Sequence, residues 1–148
     1  IAAAHGRAEY PGKFMRTAAH GLAYRATGIG FALEGFSNVL GGMAANIENL
    51  VFLYESARRM LGEKNFVWSV CAAGRNEIPM CTHALLMGGN ARVGLEDALW
   101  LDKGVLAKNN AELVTKITRI AKEFGIEPAT PAEARKILGL KGLDKAGY

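Results

Sequence analysis

The sequence predicts an α/β protein assembled from parallel strand-then-helix units, and three observations carry that reading. From about Val39 onward, short β-branched or aromatic runs alternate with stretches of helical period. Turn and cap signals, Gly62, Gly88-Gly89 and Gly125 among them, close the helical stretches. Half of the 148 residues are hydrophobic, enough for a folded core and too many for disorder. Strands that alternate with helices pair in parallel, because a parallel pair needs a crossover and the crossover packs on the sheet. About three such units are legible, whereas a closed (β/α)8 barrel needs roughly 250 residues. Length alone leaves a small open sheet and a part of a barrel equally open.

The elements follow in order. Ile47, Leu50, Val51, Tyr54, Ala57 and Leu61 recur at helical spacing after the turn signal Gly41-Gly42, with Gly62 as the C-terminal stop. Phe66 to Cys71 is of strand length and composition and runs into Ala72-Ala73-Gly74. Ile78 to Met87 reads as a second helix, and Ala91 to Leu95 as the next strand. Asn109 caps a third helix, with Glu112 at the capping-box position, Leu113, Val114, Ile117, Ile120, Ala121 and Phe124 on its apolar face, and Gly125 as its stop. Thr130-Pro131-Ala132-Glu133 joins a cap, a proline at the first helical position and a capping-box glutamate, so Pro131 to Leu138 forms a last helix. The organisation expected is an N-terminal segment over 1–38, β/α units over 39–140 and a tail over 141–148. In the first segment His5, Tyr10, Pro11 and His20 lie among alanines and glycines. Gly28-Ile29-Gly30 with Gly35 departs from the dinucleotide fingerprint and reads as a glycine-rich turn.

Composition excludes several classes of function. The formal charge of +4 is spread among acidic residues rather than gathered in a run, so no nucleic-acid partner is expected. No apolar stretch approaches the ~20 residues that span a bilayer, and no signal peptide is legible, so neither a membrane nor secretion is expected and the protein is taken as cytoplasmic. Cys71 and Cys81 fall at no metal spacing and read as buried thiols. The chain opens at Ile1 rather than at a methionine and is read as a piece of a longer protein.

The stretch GGNARVGLED poses the chemical question, because a strand bound for a core carries an arginine and ends in two carboxylates. Side-chain alternation puts Arg92, Gly94 and Glu96 on one face of the strand and Val93 and Leu95 on the other. The apolar pair can meet helices, while a cation, a gap and an anion look into an interior or cleft at the C-terminal edge. Asp97 follows where the strand yields to a loop and can turn to the same mouth. β/α architectures gather their active sites at that edge. An arginine there offers a bidentate fork for a carboxylate or enolate, a glutamate can ligate a divalent metal, and an arginine-held aspartate can act as a base. The alternative is an internal Arg92–Glu96 ion pair tying the strand into its sheet, with Asp97 as a cap. Spacing leaves the two open.

GGNARVGLEDALWL, followed by KGVLAKNNAELV and ATPAEARKILGL, resembles the C-terminal portion of the β-keto acid cleavage enzymes, and VLGGMAANIENL and FVWSVCAAGRNE resemble that family's preceding units. The likeness runs from about Val39 to Leu140. It implies a (β/α)8 TIM barrel of which this chain is roughly the C-terminal half. It also implies a divalent metal, usually Zn2+, acetyl-CoA as co-substrate, and a Claisen-type exchange that turns a β-keto acid into acetoacetate and a new acyl-CoA. On the same resemblance Glu96 is a metal ligand, and Arg92 with Asp97 deprotonates and positions the substrate. The family's His-x-His pair, which supplies the other ligands, does not occur among the three histidines of this chain, and His5, His20 and His83 read as ordinary histidines. Gly41 and Gly42 at a helix start, and Arg75 just after a strand, are candidates for the CoA phosphates or an anionic substrate. A tight turn and a surface arginine beside the cap Asn76 are the alternatives. Trp68 and Trp100 read as packing residues. The resemblance further implies a homo-oligomer, a tetramer. Two other readings stand beside this enzyme: a non-catalytic half-barrel scaffold, and an unrelated phosphate-binding β/α protein resting on the glycines alone.

Overall fold

A computed structural model of the chain describes residues 13–14, 16–18, 31–33, 43–63 and 65–139. Its centre is a parallel sheet. β1 (Lys13–Phe14) stands apart from it, and β2 (Arg16–Ala18), β3 (Phe31–Leu33), β4 (Trp68–Val70) and β5 (Asn90–Val93) form four strands in the order β2-β5-β4-β3. Every pair in that sheet is parallel: Thr17 stands beside Arg92, Val70 beside Ala91 and Ala32 beside Ser69. The helices α1 (Ile47–Leu61) and α2 (Glu77–Leu86) are the crossovers between β3 and β4 and between β4 and β5. After β5 come a small antiparallel hairpin, β6 (Trp100–Asp102) and β7 (Val105–Leu106), then α3 (Asn110–Glu123), β8 (Glu127–Pro128) and α4 (Pro131–Leu138). β8 pairs in parallel with β1. A mixed α/β fold with parallel β/α units is therefore what the chain adopts among its described residues.

Two apolar clusters hold the helices to the sheet. Leu50 of α1 and Met80 and Ala84 of α2 close over Trp68, Val70 and Phe66. Cys81 and Leu85 of α2 and Leu113, Ile117 and Ala121 of α3 close over Ala91 and Val93. Burying one such Leu or Ile side chain contributes about 1.5–3 kcal/mol. Both clusters take alternate residues of β4 and β5, so the helices lie against one face, and Ser69, Asn90 and Arg92 belong to the other, where they are only half-buried. Gly89, just before β5, allows the close approach this packing needs: a Cβ there would stand 2.6 Å from the Trp68 ring.

The helix termini follow the sequence closely. Gly62 at φ 80° and Gly139 at φ 62° end α1 and α4, and Thr130 and Glu133 make both hydrogen bonds of a capping box. Asn109 caps α3 by accepting from the Glu112 N–H, while the Glu112 carboxylate reaches back to the Lys108 N–H rather than to the cap itself. α2 starts at Glu77, behind a 3-10 turn over Gly74–Asn76, and Asn76 makes no side-chain cap bond.

Several expectations are corrected. β4 is shorter than Phe66 to Cys71, although Phe66 is buried. The strand expected over Ala91 to Leu95 spans Asn90–Val93, so Gly94 and Leu95 belong to a turn. Phe124, expected on the apolar face of α3, is 56% exposed, because the helix ends at Glu123 and the chain turns at Gly125. Trp68 is a packing residue, but Trp100 lies on the hairpin and is 50% exposed. The hairpin itself is an element the periodicity did not announce. Cys81 is buried as expected, whereas Cys71 is half-buried. His5, Tyr10, Pro11, His20, the Gly28-Ile29-Gly30 turn, Gly41 and Gly42 lie outside the described residues.

Candidate active site

β5 runs from Asn90 to Val93, so the turn over residues 94–97 stands at its C-terminal end. Because β4 runs parallel to it, the 3-10 turn that follows β4 lies at the same edge of the sheet. A hydrogen bond joins the two connections: the Gly74 N–H donates to the Asp97 carbonyl at 2.7 Å. Arg75, next to Gly74, is exposed at this edge.

Arg92 and Asp97 meet there in a fork. The Arg92 Nε donates to Asp97 Oδ2 at 3.2 Å, and Nη2 lies 3.2 Å from Oδ1 and 3.1 Å from Oδ2. Nη2 also reaches Glu96 Oε2 at 3.3 Å. The side chains of Arg92 and Asp97 are 26% and 15% exposed, that of Glu96 66%. The guanidinium is thus engaged with an enclosed carboxylate and a solvated one. Burial by itself would lower the Arg92 pKa, but the Asp97 carboxylate, aided by Glu96, outweighs it and holds the group above its ordinary value.

The route by which Glu96 comes to this edge differs from the alternation expected of a strand. Arg92 does lie on the face opposite Ala91 and Val93, away from α2 and α3. Glu96, however, is three residues past the end of β5 and is placed by the turn, as Asp97 is. Four hydrogen bonds define that turn. The Gly94 N–H donates to Glu77 Oε1 at 2.7 Å, the Leu95 N–H donates to Asn110 Oδ1 at 2.8 Å, and the Asp97 and Ala98 N–H groups both donate to the Gly94 carbonyl at 3.0 Å.

Neither Glu77 nor Asn110 is conspicuous in the sequence. Glu77 abuts the expected helix start and Asn110 follows the expected cap, and both resemble routine helix-terminal polar residues. Glu77 is 1% exposed, and its Oε2 has no partner among the described residues. Burial pushes its pKa up to about 7; the Gly94 N–H opposes that shift, Asp97 adds to it and Arg92 opposes it. Cys81, one turn along α2, donates to the Val70 and Arg92 carbonyls at 3.3 and 3.2 Å. Burial drives its thiol pKa upward, so this is a structural thiol stitching β4 to β5 rather than a nucleophile. His83 sits on α2, with Nδ1 2.8 Å from the Pro79 carbonyl, as an ordinary helix-surface histidine would.

The donor set is that of one carboxylate ligand. Glu96 is mostly solvated and bound at one oxygen, so its carboxylate can turn to a cation. Among the described residues no three His, Cys, Asp or Glu side chains converge, whereas a catalytic zinc takes three protein ligands. What the arrangement can do without further groups is present a carboxylate base, held in a guanidinium fork, at the open edge of a parallel sheet.

Residues 12–140 match the family model described as beta-keto acid cleavage enzyme. The chain is 44% identical over 118 residues to a 3,5-dioxohexanoate:acetyl-CoA acetone transferase of Paraburkholderia graminis, a match covering 80% of this chain and 38% of that protein. It is 50% identical over 102 residues to a 3-keto-5-aminohexanoate cleavage enzyme of Acetoanaerobium sticklandii, covering 69% of this chain and 36% of the relative. A 3-oxoadipate:acetyl-CoA acetyltransferase of Cupriavidus necator is 35% identical over 109 residues, covering 74% and 38%. The chain thus spans less than two-fifths of the length of the relatives it matches.

Proposed function

From the premise that this chain belongs to the beta-keto acid cleavage enzyme family, we propose that the protein it comes from catalyses an acetyl-CoA-dependent cleavage of a β-keto acid, yielding acetoacetate and a new acyl-CoA. The observation that carries the reading is the Arg92–Asp97 fork, with Glu96 beside it, at the C-terminal edge of a parallel sheet. The relatives' names supply the reaction class: an acetone transferase and an acetyltransferase that use acetyl-CoA, and a cleavage enzyme for a keto acid. In this reading Asp97 takes a proton from the carbon between the keto and carboxylate groups of the substrate. Arg92 orients the Asp97 carboxylate and offers its charge to the enolate that forms. A carboxylate paired with a guanidinium is a weak base, so the carbon acid must itself be strong. Glu96 holds a divalent metal, Zn2+ being the preferred ion, together with ligands outside the described residues. When bound, that ion would polarise the keto oxygen and acidify the adjoining carbon. Arg75, and Gly41 with Gly42, remain the groups proposed for the anionic parts of CoA or substrate.

The proposal extends to architecture. A parallel sheet whose helices lie on one face, with Ser69, Asn90 and Arg92 on the other, suits consecutive staves of a (β/α)8 barrel whose interior is that polar face. The complete protein is read as a cytoplasmic homo-oligomer, a tetramer. The test is made on the complete protein, with acetyl-CoA and a panel of β-keto acids. Acetoacetate should form, and Glu96→Ala should lose bound zinc and turnover by about 100-fold or more. Full turnover and stoichiometric zinc in Glu96→Ala would overturn the assigned ligand.

A further inference from the structure

We infer that Glu77 is a positioning residue for the Arg92–Asp97 couple: from the start of α2 its carboxyl grips Gly94, the first residue of the turn that carries Asp97, and so fixes where the Asp97 carboxylate meets the guanidinium. The inference rests on the reading of Asp97 as the base.

The geometry is specific. An acidic residue in the first turn of a helix commonly serves its own N-terminus, but Glu77 reaches across to the turn after β5 and takes the Gly94 N–H at 2.7 Å. That N–H is the first after the ladder of β5 ends, and the Gly94 carbonyl then receives the N–H groups of Asp97 and Ala98. Gly94 is therefore the pivot of the turn, and Glu77 decides where the pivot stands. Asn110 holds the next residue and Gly74 the last, so the turn is pinned at its start, middle and end.

Of these anchors Glu77 is the one placed at an energetic cost. It is 1% exposed, and its second oxygen lacks a partner among the described residues. A leucine at this position would bury without that cost but would leave the buried Gly94 N–H unpaired, so what the side chain contributes is the acceptor it offers to Gly94 rather than its charge. That acceptor also holds the base in place, and displacing a reacting group by about 1 Å can cost on the order of 100-fold in rate.

The experiment uses the complete protein with acetyl-CoA and its best β-keto acid. Glu77→Leu fills the site with an apolar side chain and removes the acceptor; Glu77→Gln keeps an acceptor for the Gly94 N–H. The expected result is a kcat lowered about 10- to 100-fold in Glu77→Leu with KM for both substrates changed by less than about threefold, and recovery to within about threefold of wild type in Glu77→Gln. A Glu77→Leu kcat at the wild-type level overturns the inference, as does a loss expressed in KM alone or an equal loss of kcat in Glu77→Gln. Should Glu77→Leu fail to fold, Glu77→Gln decides: wild-type kcat supports the inference and a 10-fold loss overturns it. An Asp97→Asn arm separates the two readings. If Asp97→Asn is inactive while Glu77→Leu is fully active, only the role of Glu77 fails; if Asp97→Asn is fully active, the assignment of the base fails.

Discussion

At the scale of single residues, the candidate site is a contest over one guanidinium. Asp97 holds it through both oxygens and is largely enclosed, while Glu96 touches it from solvent. Exposed ion pairs are worth about 0–1 kcal/mol, so Glu96 is the partner that can leave for a cation at little cost. That Arg92, Glu96 and Asp97 come together was legible because charge is conspicuous in an otherwise apolar stretch. The contacts of Glu77 and Asn110 were not, because they reach Gly94 and Leu95 from 17 and 15 positions away. Glu77 also has a thermodynamic signature. Its pKa stands at about 7 in the fold against an ordinary 4.5, so the native state binds the proton more tightly than the unfolded chain does. The stability this confers is complete below about pH 4.5 and is lost as pH rises toward 7. Urea titrations of wild type and Glu77→Gln across that interval should show wild type losing on the order of 3 kcal/mol relative to the variant. Parallel pH curves would show that Glu77 keeps an ordinary pKa.

At the scale of elements, the helices were readable because their signals are local. The cap, proline and capping box of α4 all lie within Thr130 to Glu133, and each is found in the structure. Thr130→Ala should destabilise by about 1 kcal/mol, measured by denaturant midpoint; no change would mean the cap is idle. The end of β5 departs from the sequence pattern for the opposite reason. Arg92 to Glu96 keeps a strand's alternation, but the N–H groups of Gly94 and Leu95 are taken by side chains instead of a neighbouring strand. The hairpin escaped notice because its strands are only 3 and 2 residues long, with Gly104 at φ 75° as the turn. Gly89 ties element to element. Its dihedrals do not demand glycine, yet a Cβ would press on the Trp68 ring at 2.6 Å. Gly89→Ala should therefore cost about 1–3 kcal/mol through overpacking, with a lowered Tm as the readout. An unaltered Tm would show that the ring can yield.

At the scale of the whole molecule, alternation of strand and helix was enough to foretell parallel β/α units, since the rule that links them is topological and independent of register. Whether the sheet closes could not be read from this length of chain, which covers about 38% of its relatives. Among the described residues no helix is long and apolar enough to cross a membrane. What the molecule offers is a helix-covered face that provides cohesion and a polar face whose C-terminal edge collects Arg92, Glu96 and Asp97. The central claim, that Asp97 draws a proton at this edge, is tested most directly by hydrogen exchange. The complete protein and a β-keto acid in heavy water, without acetyl-CoA, should exchange the protons on the carbon between the two carbonyls faster than the uncatalysed background, as followed by NMR. In Asp97→Asn, with the protein still folded, exchange should fall about 100-fold or more, toward that background. Exchange at the wild-type rate in Asp97→Asn would contradict the account.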